Sequence, residues 1–220
     1  MNEIVRIGVS LLPVFAFLAV LIVLDSYKLV KLRAVLLAIV LGCAVALVCL
    51  VLNRWLLDVL DLDFRTFSKY LAPLVEETFK AMYIVYLIKA KRVGFMVDAA
   101  IHGFAVGAGF AFVENLVYLQ MLESSGILVW IVRGFGTAVM HGTTTAIFAI
   151  LAQNAVERKG TDAWFLFLLP LLAAVVTHSI YNHFFLPPLL VTVAFVVGLP
   201  TLAVAVVFPT PPLPELTATT

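Results

Sequence analysis

Residues 97–122 read VDAAIHGFAVGAGFAFVENLVYLQML. The stretch holds no proline, lysine or arginine, and at 1.5 Å rise per residue it would span roughly 39 Å as a helix. The hydrocarbon core of a bilayer is about 30 Å thick. Its polar residues are scattered and do not form one wet face, as they would on a helix lying on a soluble core. Ala99, Gly103, Gly107 and Ala111 fall at every fourth position, a stripe of small side chains that lets helix backbones approach closely within lipid. This segment therefore predicts a membrane-spanning helix packed against another helix.

The rest of the chain agrees. Of its 220 residues, 64% are hydrophobic and only 12% charged, and the mean hydropathy is +1.14; a soluble domain is usually about a quarter charged. The net charge of +1 and the lack of any basic run argue against nucleic acid as a partner. Cys43 and Cys49 lie on different faces of one apolar run and read as small buried residues. Seven stretches are long and apolar enough to cross the bilayer, near residues 7–24, 34–52, 70–88, 97–122, 127–156, 163–185 and 189–208. The expected fold is all-α, a polytopic transmembrane bundle of about seven spans with a four-helix core.

The expected organisation is two N-terminal spans and an interfacial segment over 1–69, the core over 70–185, a last span over 186–208 and a disordered tail over 209–220. Within the first unit, the mixed apolar and charged residues of 53–69 predict a short helix lying in the interface. Lys28, Lys31 and Arg33, then Lys89, Lys91 and Arg92, then Arg158 and Lys159 fall in alternate loops. By the positive-inside rule they place the N-terminus outside and the C-terminus in the cytoplasm. The chain is therefore expected to be an integral membrane protein.

A mere anchor would not keep ionisable groups inside its spans. Each costs roughly 2.5–3.5 kcal/mol at the bilayer centre. Six left unpaired would cost about 15 kcal/mol, the size of a domain's net stability. Tracing depth along the spans brings Glu76, Glu77, Glu114, His141, His178 and Asn182 to one level, toward the outer leaflet. His102 lies near the opposite end of its span and reads as a packed histidine, and Asp98 reads as a snorkelling charge at a helix end. Glu76 and Lys80 share a helix face, as do His178 and Asn182. Lys80 can neutralise one glutamate and leave the other to act as a base or bind metal. Arg133 suits either a clamp on a substrate carbonyl or an interfacial anchor, and Asn115 either a hold on Glu114 or on nearby backbone. No HExxH, no GxSxG and no pair of membrane aspartates that could serve as an aspartyl dyad is present in the sequence.

Four short runs carry a resemblance. Glu76-Glu77-Thr78-Phe79-Lys80 resembles the EExxK motif of the PrsW family of intramembrane proteases. Gly109-Phe110-Ala111-Phe112-Val113-Glu114-Asn115 resembles its FxxxEN segment, His141-Gly142-Thr143-Thr144-Thr145 its third motif, and His178-Ser179-Ile180-Tyr181-Asn182 its closing HxxxN. They stand in the family's order, each on its own predicted helix. The related prenyl endopeptidases and bacteriocin-processing proteases carry an arginine and a histidine where this chain has Lys80 and Glu114.

The resemblance implies hydrolysis of a peptide bond in a membrane-anchored substrate, such as an anti-sigma factor or another single-pass protein. Glu76 or Glu77 would then deprotonate water, and Glu114, His141 and His178 would hold zinc, a His₂Glu set with one open position. Asn182 would donate to the developing oxyanion. A metal-free version would use Glu77 with His141. Two other readings suit buried carboxylates and histidines: a proton-coupled transporter, and a non-catalytic membrane scaffold on the same fold.

Overall fold

A computed structural model describes residues 30–121, 136–161 and 163–183, with isolated positions nearer both termini. The described residues are helical and contain no strand. The helices are α1 (Leu32–Leu60), α2 (Phe64–Lys89), α3 (Met96–Met121), α4 (Ala138–Lys159) and α5 (Leu168–His183), with a 3₁₀ turn, Trp164–Phe167, leading into α5. Three segments among the described residues are long and apolar enough to cross a membrane: Leu32–Leu60, Met96–Tyr118 and Trp164–His183. The first and last expected spans, and Arg133, lie outside the described residues.

No separate interfacial helix forms over 53–69. Those residues instead lengthen α1 to Leu60 and open α2 at Phe64. The joint is short because both ends are capped. Asp61 closes α1 in the left-handed conformation at φ 49°, and the Asp63 carboxylate accepts the Thr66 backbone N–H at 2.9 Å. Hydrogen bonds from Thr66, its hydroxyl first and its N–H second, hold the Asp63 carboxyl below its usual range. Asp98, in the first turn of α3, is buried and turns back to accept from the N–H groups of Gly94 (3.0 Å) and Phe95 (3.2 Å). A helix start inside protein leaves donors that need such a partner.

α3 is the enclosed helix: 72% of its span is buried, against 28% for α1 and for the α5 segment. Its small residues explain how neighbours get so close. A Cβ on Gly107 would lie 2.6 Å from the Gly142 Cα and against the His141 carbonyl, so α4 runs backbone to backbone along this face. On the other side a Cβ on Gly109 would meet the Ile39 Cα at 3.0 Å, which lets α1 in equally close. The expected stripe is thus the α3–α4 seam, and α3 carries a second contact the stripe did not include.

α2 meets α5 differently. Pro73 sits inside α2, where a proline cannot donate to the carbonyl four residues earlier and crowds it. That carbonyl belongs to Lys69, and the Ser179 hydroxyl donates to it at 2.6 Å. One turn on, the Asn182 amide donates to the Ser68 carbonyl at 2.9 Å. Polar side chains of α5 therefore bind the backbone of α2 at and next to the carbonyl that Pro73 leaves without a helical donor.

Candidate active site

The two seams meet at a buried polar cluster supplied by α2, α3, α4 and α5. Glu77 Oε1 is its hub. It accepts from the Lys80 ammonium, from His178 Nδ1 at 2.8 Å and from the Thr144 hydroxyl at 3.4 Å. Lys80 is fully buried, with 0% exposure. Besides Glu77 it contacts His141 Nδ1 at 3.0 Å, and it sits 4.5 Å over the Phe110 ring. His141 Nε2 lies 2.8 Å from Glu114 Oε2.

These contacts fix the histidine protons. An ammonium can only donate, so His141 Nδ1 accepts and its Nε2–H donates to Glu114. His178 donates through Nδ1 to Glu77, which leaves the lone pair of its Nε2 available. The two rings stand at 90° with centroids 4.9 Å apart, and Phe110 packs on His141 at 4.9 Å.

Glu76 lies apart from this hub. Its Oε1 accepts from the Asn53 amide at 3.0 Å, while its Oε2 is buried without a hydrogen-bond partner among the described residues. Glu76, His141 and His178 each present one ligand atom, and these atoms all lie within 4.8 Å of one another. Two histidines and a carboxylate suit a divalent metal. Charge agrees with that fit: three carboxylates against one ammonium leave two formal negative charges in a buried site, which calls for protons or a dication. Glu77 behind His178 and Glu114 behind His141 are the carboxylate-to-imidazole contacts that orient metal-binding rings. Ligation by His141 would require it to release Lys80 or Glu114.

Of the residues expected at the site, the structure brings together Glu76, Glu77, Lys80, Glu114, His141 and His178. Asn115 is buried beside Glu114. Asn182 is one turn below His178, with its amide on Ser68. His102 is buried outside the cluster, as expected, and His183 packs edge-on against Tyr70 at 5.0 Å. Sequence reasoning missed Asn53, Thr144 and the Phe110 ring. Thr144 follows His141 at helical spacing and was within reach of a face argument. Asn53 had no such signal, standing 23 residues before Glu76 in a segment read as interfacial.

Fold and site together define a class, a helical membrane protein with a buried glutamate–histidine centre that could hold a metal. Residues 31–208 match the model of the PrsW family intramembrane metalloprotease, and the chain belongs to that family. It is an integral membrane protein of a peptidase family. No curated protein and no solved structure gave a significant match.

Proposed function

We propose that this protein cleaves a single-pass membrane protein, an anti-sigma factor being one such substrate, at a site formed by Glu76, His141 and His178. The observation that carries the reading is Glu76 Oε2, a buried carboxylate oxygen with no hydrogen-bond partner among the described residues, whose side chain converges with two histidines. An unsatisfied buried oxygen is costly, and a group kept at that cost suits a metal or a reacting water. The same three residues would hold zinc, which when bound supplies Lewis acidity toward water and the scissile carbonyl.

The roles of two glutamates change from those the motifs imply. Glu76 is the ligand-type carboxylate here. Glu114, whose side chain keeps 19% exposure, is the one that meets water, and it bonds to His141. It takes the proton of the attacking water and returns it to the leaving amine. Glu77 and Lys80 hold the rings. Asn182 uses one N–H on Ser68 and has a second, which donates to the carbonyl oxygen as charge develops there.

The bundle of seven spans, its four-helix core, a prokaryotic plasma membrane and an outward-facing N-terminus complete the proposal. A site among apolar helices favours a substrate that arrives from the bilayer. The test is zinc content and cleavage of single-pass reporter proteins by purified protein. Glu76→Gln and His178→Ala should lose both metal and cleavage. In Glu114→Gln the amide oxygen still accepts the His141 hydrogen but takes no proton, so metal stays and cleavage falls by about 10²–10⁴. Full cleavage by Glu76→Gln and His178→Ala would overturn the mechanism.

A further inference from the structure

We infer that Asn53, on α1, is a positioning residue for this centre, holding Glu76 in the one rotamer that presents Oε2 to the histidines. The inference rests on the functional reading above. Three observations carry it. The Asn53 amide donates to Glu76 Oε1 at 3.0 Å, a contact between two different helices. The Asn53 side-chain oxygen Oδ1 is buried with no partner among the described residues, so what this amide contributes here is its donor to Glu76. Glu76 also has a competing partner on its own helix. Lys80 stands four residues on, the spacing at which glutamate and lysine pair, yet its ammonium is on Glu77 and His141.

Without the amide, Glu76 is free to swing onto Lys80. That single rotation would withdraw Oε2 from the histidines and draw the ammonium off Glu77 and His141. Asn53 thus keeps two carboxylates of like charge in separate tasks. The Glu76 end of this contact is buried, a setting in which a charge-assisted hydrogen bond is strong.

The test uses the full-length protein in detergent, with zinc(II) titrated by calorimetry, reporter cleavage and thermal unfolding measured together. Asn53→Ala and the near-isosteric Asn53→Leu should lower zinc affinity about 10–100-fold, the range for partners behind a metal ligand. Both should lower kcat with KM within about twofold, and unfolding temperature should fall only modestly in Asn53→Leu, which keeps the packing but removes the donor to Glu76 Oε1. Asn53→Gln, which keeps the donor, should recover part of the affinity. Wild-type zinc affinity and kcat in Asn53→Ala and Asn53→Leu, with Glu76→Gln still deficient, would overturn the inference alone. A Glu76→Gln protein that binds zinc and cleaves like the wild type would take the functional reading down with it.

Discussion

The α3–α4 seam and the α2–α5 seam deliver the same kind of cargo by opposite means. Along α3 and α4 the backbones touch because glycine leaves no side chain between them, and Glu114 and His141 ride on that contact. Along α2 and α5 a proline leaves the Lys69 carbonyl without a helical donor, and Ser179 binds it while Asn182 binds the Ser68 carbonyl next to it, beside Glu77 and His178. The first seam is fixed by volume, the second by hydrogen bonds that can be removed one at a time. Backbone contact of this kind leaves no slack, because an added methyl group must displace a whole helix. Hydrogen bonds within membrane helices are individually small, averaging about 0.6 kcal/mol.

The comparison can be broken where the seams join. Lys80→Met leaves Glu77 buried without its cation, and we expect about 3–5 kcal/mol of destabilisation. Denaturant titration in mixed micelles measures it. The double variant Lys80→Met/Glu77→Gln should recover much of that loss; no recovery would show that Lys80 acts through packing alone. Asn182→Ala should lower kcat about 10²–10³-fold, the size of a lost oxyanion donor, with little change in stability. A fall of less than about tenfold in single-turnover assays would confine Asn182 to the α2–α5 seam.

Smaller effects separate the seams themselves. Gly107→Val should cost about 1–3 kcal/mol by overpacking and should weaken zinc binding too, since His141 must move with α4. Ser179→Ala should cost only about 0.6–1 kcal/mol and leave zinc affinity unchanged. Equal losses of zinc affinity in these two variants, read by calorimetry, would erase the distinction between a volume-set and a bond-set seam.

Much of this was legible before any coordinates. The stripe Ala99, Gly103, Gly107 and Ala111 announced a close seam because small residues at helical spacing have few other uses in lipid. The depth argument brought Glu76, Glu77, Glu114, His141 and His178 together because helix rise converts position into height. That arithmetic carries no information about azimuth. It could not tell which carboxylate faces the histidines and which stands behind them; the motifs imply Glu114 as the zinc ligand, while the group whose ligand atoms lie within 4.8 Å of one another is Glu76, His141 and His178. Asn53 stayed hidden for a related reason. It reaches Glu76 from another helix, with no fixed spacing to betray it. The interfacial helix expected over 53–69 failed on capping: Asp61 and Asp63 make a two-ended stop in three residues, and the amphipathic mixture on either side simply continues the flanking helices.

The contact at Gly107 has a consequence for inheritance. Every missense change at a glycine codon adds at least a Cβ, and at this position a Cβ lands on the neighbouring chain. No substitution is conservative there, however small the residue, and the position has no gradual path by which to vary. Whichever residue fills the space opposite His141, the backbone of α4 must shift to admit it.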